Sequence, residues 1–451
     1  MVKIPGLLRR FSQIFLRRGF QCYLVGGAVR DMLIGRPLTD FDIATDALPA
    51  EVQKMFPRVI PTGIKHGTVT VLFQGTRFEV TTFRIEREYL DGRRPGSVVF
   101  TPSIEEDLKR RDFTINSMAY DLAKGRLLDP HQGREDLRRG IIRAIGSPLE
   151  RFREDGLRPV RACRFAAQFG FSIEPQTFAA ISSSLETVRK VSAERIRDEL
   201  VRLLASREPS IGFRLMERSG LLALILPELA GAAGVEQRGL HCFDVLEHSL
   251  RSCDAAPADN LVVRLAALLH DIGKPACLQR SESGEPRFHG HERVSARMAE
   301  EALQRLRFSN EVIRRTCHLI RHHMFDGSEE CSDAALRRLV ARVGEDNLAD
   351  LLALRRADQI GTCGDRRPSA SLEAFQKRLE RVLAESRAFT RKDLAVDGNT
   401  LMAELGLEPG PQIGILLDQL LQAVLEDPAL NEREKLLEIA RRFYRQRMER
   451  G

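Results

Sequence analysis

Two aspartates set one residue apart, Asp40 and Asp42, are the residues of this chain best placed to do chemistry. Phe41 and Ile43 give their segment strand character. In an extended chain side chains alternate, so both carboxylates project from one face, roughly 6–7 Å apart at the backbone. Such a pair can hold Mg2+. Glu79 lies in RFEVTTFR, where Phe78 and Val80 alternate with polar neighbours, and can supply a third carboxylate. Upstream, the apolar run Cys22 to Val25 ends in Gly26 and Gly27, and Ala28 to Ile34 has helical composition. The glycines therefore sit at a strand-to-helix turn, where backbone N–H groups approach a phosphate closely and a helix N-terminus favours negative charge. Arg30, on the first helical turn, adds a forked donor suited to phosphate oxygens. The segment is neither GxxxxGK[ST] nor GxGxxG. Metal-holding carboxylates beside a phosphate cradle suit two-metal transfer of a nucleotide, in which one ion activates a hydroxyl and the other steadies a triphosphate.

A second group lies downstream. Arg110, Arg111 and Asp112 open RRDFTINSMAYD, which reads as a helix N-terminus capped by Asp112 or Thr114, with Asn116 following. Further on, Asp155, Arg158, Arg161 and Arg164 recur at three-residue spacing, which predicts one helix face carrying all four. A carboxylate beside a guanidinium can read a base. Cytosine and adenine each present an exocyclic amine beside an unprotonated ring nitrogen, whereas uracil and guanine present a carbonyl beside a ring N–H. An Asp/Arg pair therefore matches CTP and ATP and repels UTP and GTP.

The elements that must position these groups change character along the chain. Residues 20–130 mix short strand-like runs (Gly67 to Phe73, Arg77 to Phe83) with helices, and helical periodicity dominates after Gly146. This predicts an α+β protein, a small mixed α/β head on a long all-α body. Gly6 to Arg18 reads as a helix of that head. At 451 residues several domains are expected. The boundaries are placed at 1–146 for the head, 147–225 for a helical neck, 226–370 for a helical body and 371–451 for a tail, with Arg366 to Ser371 as a linker. No apolar run reaches the length of a membrane span, and the eight cysteines form no CxxC pair, so the chain is expected in a reducing cytoplasm. The net charge of +7 favours a polyanionic partner.

LVGGAVRDMLIGRPLTDFD, RRDFTIN, the DPxxGxxDL pattern on Asp129, Pro130, Gly133, Asp136 and Leu137, and EDGLR together resemble the polymerase beta-like nucleotidyltransferase superfamily. Within it they are similar to the bacterial class II tRNA nucleotidyltransferases, the CCA-adding enzymes. The resemblance implies that Asp40 and Asp42 hold two Mg2+ ions with Glu79 nearby, and that Gly26, Gly27, Arg30, Arg111, Asp112 and Asn116 bind the nucleotide. Asp155 and Arg158 then form the base template, with Arg161 and Arg164 reaching the phosphates. It also implies CTP and ATP as substrates and the tRNA 3′ end and acceptor stem as partner, and leaves the oligomeric state open. Bacterial poly(A) polymerases and A-adding enzymes share the first two motifs. PTGIKHGTVTVL, the loop-like TTFRIEREYLDGRRPGSVVF, SAERIRDEL and GLEPGPQIG look like the CCA-adding pattern instead.

Eight of the ten histidines fall between residues 241 and 323. His248, the adjacent His270 and Asp271, and Asp358 follow the order H…HD…D and resemble the HD phosphohydrolase superfamily. Imidazole with carboxylate suits a divalent transition metal or Mg2+. His289, His291, His318, His322 and His323 can extend the group, whereas His66 and His131 stand alone. A metal-dependent phosphohydrolase is therefore the competing reading of another class.

Overall fold

The structure is a computed structural model describing residues 5–38, 40–89, 95–237, 242–328, 331–363, 370–385 and 388–448. The chain divides into two compact units, residues 1–230 with 305–307, and residues 231–304 with 308–451.

The first unit carries nine strands at its N-terminal end: β1 (Tyr23–Val25), β2 (Phe41–Thr45), β3 (Val59–Gly63), β4 (Thr68–Phe73), β5 (Thr76–Thr82), β6 (Arg84–Tyr89), β7 (Pro95–Phe100), β8 (Ala119–Asp121) and β9 (Arg126–Leu128). Seven form one mixed sheet in the order β3-β4-β5-β2-β1-β8-β9, and β6 pairs with β7 as a separate hairpin. Alternation along β5 buries Phe78, Val80 and Thr82 and leaves Arg77 and Glu79 exposed. The helix Gly6–Leu16 covers the buried face, stacking Phe11 on Phe78 with ring centroids 3.9 Å apart. Because β2 runs parallel to β5 with Asp42 opposite Glu79, both carboxylates must lie on the other face. The tip of the loop-like segment, residues 90–94, lies outside the described residues.

Two local expectations are corrected. Asp155 does not share a helix with Arg158. One helix, Pro148–Glu154, ends before Asp155, whose backbone is extended, and the next, Arg158–Phe169, begins after Leu157. Pro159 is the reason, since a residue without an N–H and with a ring that clashes one turn back fits only the first turn of a helix. Gly156 fills the break, where a Cβ would stand 2.4 Å from the Thr187 carbonyl oxygen. The RRD segment, in turn, follows a helix and does not open one. The helix Ile104–Lys109, capped by Ser103, stops at Arg110. Phe113 then takes extended backbone and bridges to Ala144, leaving Thr114–Asn116 as a single 3-10 turn.

The second unit is almost wholly helical. The helices Val245–Ala255 and Leu348–Cys363 approach closely at Gly361, where a Cβ would lie 2.1 Å from Ser252 Oγ. Toward the C-terminus, Leu401, Leu416, Leu420, Val424 and Leu436 form a separate core joining the helices Gly398–Leu405, Pro411–Glu426 and Arg433–Met448. Of the expected linker only Ala370 and Ser371 are described, and both belong to the helix Ala370–Glu385. Among the described residues no helix is long and apolar enough to cross a membrane. Cys22, Cys163, Cys253, Cys277, Cys317 and Cys331 are free.

Candidate active site

The strand-to-helix turn forms as the sequence predicts. β1 ends at Val25 and a helix spans Gly27–Leu33, with Gly26 between them at φ +66°, ψ −134°. Few residues other than glycine hold such a backbone. There is a second reason for glycine. A Cβ on Gly26 would stand 2.7 Å from Arg111 Nη1 and 3.7 Å from Asp42 Oδ2, so the turn packs directly against a cation and a carboxylate from distant segments.

Asp42 lies on β2 beside Glu79 of β5, and Asp40 immediately precedes the strand. Partial burial pushes the Asp42 carboxyl above the usual carboxylate range; Arg111 opposes the shift, and Glu79 and Asp40 add to it. Like charges have thus been gathered with too little compensation, as a divalent cation site requires. Arg111 is only partly engaged: Nη2 lies 3.5 Å from Asp107 Oδ2, and its buried Nε has no hydrogen-bond partner among the described residues. Asp107, buried in the preceding helix, also accepts from Arg110 Nε at 3.0 Å and from the Arg84 backbone N–H at 3.3 Å.

Arg30 is buried and faces inward. It donates from Nη1 to Asn116 Oδ1 at 2.6 Å, pairs with Asp31 at 2.9 Å, and lies 4.6 Å from the Phe169 ring centroid. Burial lowers its affinity for the proton, which Asp31 and then Asp112 partly restore. Asn116 donates to Asp112 Oδ1 at 3.0 Å, and Asp112 Oδ2 pairs with Arg161 at 2.7 Å. Burial alone would raise the Asp112 carboxyl, but the Arg161 charge and the Asn116 hydrogen bond outweigh it and hold it well below the usual range.

The four residues expected on one face divide into two sets. Asp155 caps the break, accepting from the Leu157 N–H at 3.0 Å and pairing with Arg195 at 2.8 Å. Arg158 donates to Glu154 at 2.6 Å, to the Arg151 carbonyl at 2.7 Å and to the Arg110 carbonyl at 3.0 Å. Arg161 and Arg164 converge on Glu199, at 3.4 and 2.5 Å, and Arg164 lies 3.7 Å from the Phe165 ring centroid. Burial brings the Arg164 guanidinium down to about 10, against the opposing pull of Glu199. Asp107 and Glu199 escaped the sequence reading. Asp107 was detectable at three and four residues before Arg110 and Arg111, and Glu199 lies within SAERIRDEL.

In the second unit the expected histidines and aspartates meet. His248 Nε2 lies 3.0 Å from His270 Nε2, 3.4 Å from Asp271 Oδ2 and 3.2 Å from Asp358 Oδ1. His291 Nε2 stands 3.2 Å and His323 Nε2 3.9 Å from Asp271 Oδ1. All are buried except Asp358, which is partly buried. His318 and His322 stand apart, His318 donating to the Val343 carbonyl, and His289 is exposed. Burial favours neutral His270, but Asp271 and Asp358 reverse this and lift it to about 10; burial and the His270 charge drive His323 down to about 3. A cavity of about 980 Å³ opens onto the group, lined also by Lys274, Arg287, Phe288 and Arg355.

A mixed sheet bearing clustered carboxylates beside a glycine turn, followed by helices, defines a polymerase-like nucleotidyltransferase head joined to a helical body. The profile of the "Poly A polymerase head domain" matches residues 22–143, that of the "Probable RNA and SrmB- binding site of polymerase A" residues 170–232, and that of tRNA nucleotidyltransferase domain 2 residues 292–440. The CCA-adding enzyme of Lactiplantibacillus plantarum is 36% identical over 94% of this chain and 92% of its own length; that of Geobacillus stearothermophilus is 34% identical over 96% and 94%. The crystal structure of the Bacillus stearothermophilus CCA-adding enzyme in complex with CTP superposes with a TM-score of 0.76 at 31% identity, covering 99% of this chain and 98% of the other. The chain belongs to the CCA-adding enzyme family.

Proposed function

We propose that this protein adds C, C and A to the 3′ end of tRNA from CTP and ATP, releasing pyrophosphate. The observation that carries the reading is Asp42 at the glycine turn, with Glu79 and Asp40 beside it and Arg111 as the facing cation. This surplus of carboxylates fits two Mg2+ ions held by Asp40 and Asp42, which when bound supply activation of the attacking hydroxyl and neutralisation of the triphosphate. Gly26 and Gly27 let the chain approach the phosphates, and Arg111, with an uncommitted buried N–H, holds them. Arg30 and Asn116 fix the turn from behind.

Base choice falls to Asp155 and Arg158. The carboxylate accepts from the exocyclic amine of cytosine or adenine and the guanidinium donates to the adjacent ring nitrogen. To do so Arg158 exchanges one of its carbonyl or Glu154 contacts for the base. Arg161 and Arg164, tied to Asp112 and Glu199, anchor the templating helix and turn toward phosphates only as those pairs loosen. The acceptor stem, an A-form helix, is held by backbone and shape. Exposed Arg433, Lys435, Arg441 and Arg445 on the last helix suit backbone contacts to the tRNA elbow region. On this reading the chain divides into head, neck, body and tail at residues 146, 225 and 370.

The test supplies tRNA lacking its 3′ end with each labelled nucleotide. CTP and then ATP are expected to enter, UTP and GTP not, and Asp40→Ala to abolish incorporation with an unchanged circular dichroism spectrum. Failure of CTP alone to extend tRNA ending before CC would turn the assignment to a poly(A) polymerase or A-adding enzyme.

A second reading rests on the buried histidines and their cavity. His248, His270, Asp271 and Asp358 hold one divalent transition metal, and the second unit hydrolyses phosphate esters. Metal-dependent phosphate release abolished by His270→Ala is the expected result.

A further inference from the structure

We propose that the outer face of the N-terminal helix binds the phosphate backbone of an RNA duplex other than the stem being extended; the second half of that statement rests on the reading of the carboxylate face given above. The first thirty residues carry six cations, Lys3, Arg9, Arg10, Arg17, Arg18 and Arg30, and no acid. Arg30 is engaged inside the site, but Arg9, Arg10, Arg17 and Arg18 are exposed. The helix Gly6–Leu16 turns Leu8, Phe11, Ser12 and Phe15 into the sheet. Arg10 lies on the opposite side, and Arg17, seven residues on, follows it on that side two turns away, about 11 Å along the axis.

Neighbouring segments extend the field. Arg18 donates to the Lys54 carbonyl at 3.3 Å, which brings the end of the helix Pro49–Met55 alongside, and Lys54 and Arg58 are exposed as well. Arg10 reaches Gln74 Oε1 at 3.0 Å, at the turn between β4 and β5. Among the described residues, none of the side chains of Arg9, Arg10, Arg17, Arg18, Lys54 and Arg58 pairs with a carboxylate. Exposed arginines elsewhere do, Arg138 with Glu135, Arg391 with Asp418 and Arg441 with Glu404. Uncompensated like charges repel one another, and a polyanion that shed its counterions would relieve them.

Position and chemistry choose the partner. The helix lies on the face of the sheet that buries Phe78, whereas Asp42 and Glu79 lie on the other, so the sheet separates these cations from the site. A 3′ end held at the carboxylates is therefore not what they face. A membrane would need an apolar face to insert, and that of this helix is already occupied by the sheet. Single-stranded RNA would need rings on which its bases stack, but Phe11, Phe15 and Phe56 beneath the cations are buried. Cations without rings fit an A-form duplex, which is held by its phosphates and its shape.

Fluorescence anisotropy tests this on the full-length protein, with a labelled RNA duplex of roughly 16 base pairs, a length one duplex-binding module spans, blocked by 3′ phosphates against extension. Wild type is expected to bind it, and Arg10→Gln/Arg17→Gln to bind roughly tenfold more weakly, with the slope of log K against log salt reduced by about two. At concentrations that saturate this binding the duplex should leave kcat/KM for CTP on tRNA lacking its end unchanged, and the variant should extend that tRNA as wild type does. Equal binding by the two proteins, competitive inhibition by the duplex, or a parallel fall in kcat/KM in the variant overturns a separate RNA face. So does tighter binding of a DNA duplex of the same sequence. Binding to phosphatidylglycerol vesicles that is lost in the variant, with duplex binding intact, would make the face a membrane contact instead. Absence of incorporation by either protein would sink the proposed activity and leave the duplex measurement standing.

Discussion

Replacing Gly26 by alanine tests the turn more sharply than removing a carboxylate, because the structure gives two separable costs. The first is conformational: a side chain at φ +66°, ψ −134° is strained by about 1–3 kcal/mol. For a unit of this size that lowers its midpoint of thermal unfolding by roughly 2–12 °C. The second is functional. The new Cβ would stand 2.7 Å from Arg111 Nη1, which must withdraw. It can do so easily, because its contact to Asp107 is long at 3.5 Å, so the clash is relieved by moving the cation away from the triphosphate. Losing one hydrogen bond between charged groups costs about 1.5–3 kcal/mol, or roughly 10- to 150-fold in kcat/KM for CTP. Steady-state incorporation on tRNA lacking its end, with calorimetry on the same samples, reads both. Arg111→Ala added to Gly26→Ala is expected to cost little further activity, because the guanidinium is already displaced. Wild-type kcat/KM in Gly26→Ala would refute the placement of Arg111, and fully additive losses would show that the two residues act apart.

Three further substitutions read other parts of the site. Asp42→Asn is expected to abolish CTP incorporation yet raise the thermal midpoint of metal-free protein by about 1–3 °C, because it removes a charge that burial, Glu79 and Asp40 all disfavour. Asp155→Asn replaces one of two acceptor oxygens with a donor and removes the charge, and the CTP over UTP ratio of kcat/KM is expected to fall about 10- to 100-fold. Glu199→Gln leaves Arg161 and Arg164 facing a neutral amide and is expected to destabilise the first unit by about 3 kcal/mol, read by urea unfolding; a loss under 1 kcal/mol would remove Glu199 as the anchor. A pH series tests Asp112. Its folded carboxyl is held below the ordinary value, so its contribution is complete above about pH 5 and is lost as acid protonates it. The stability gap between wild type and Asp112→Asn should therefore narrow between about pH 5 and pH 2.

Much of the site was legible because its chemistry depends on residue types at short spacing. The Gly26-Gly27 turn and the strand bearing Asp42 form where alternation and glycine placed them. The pairing of Asp42 with Glu79 was only suspected, since it depends on β2 and β5 lying parallel and adjacent, a property of the whole sheet. Asp155 was misplaced on a helix because a three-residue repeat of charges outweighed Pro159, whose missing N–H ends the helix before it. The partners of Arg161 and Arg164 were hidden for another reason. A buried carboxylate such as Glu199 looks in sequence like any other helical glutamate, and only packing shows that water has been removed from it. The histidines gathered because four helices and their ends deliver them, which the order H…HD…D anticipates without showing that His291 and His323 join from the far side of Asp271.

The RRD segment has a role that motif matching alone would not suggest. Arg111 faces the carboxylates and the glycine turn, while the carbonyl of the preceding Arg110 accepts from Arg158 and the side chain of the following Asp112 pairs with Arg161. Three consecutive residues thus touch the carboxylate cluster and the helix proposed to read the base. The hairpin joins through Asp107, which accepts from both the Arg84 backbone and Arg110. A change in Arg158 on meeting a base therefore alters the hydrogen bonding of the residue next to Arg111. On the proposed roles, one hydrogen bond and one peptide linkage separate base choice from the phosphate-holding cation, short enough for a mismatched base to be felt where the phosphates lie.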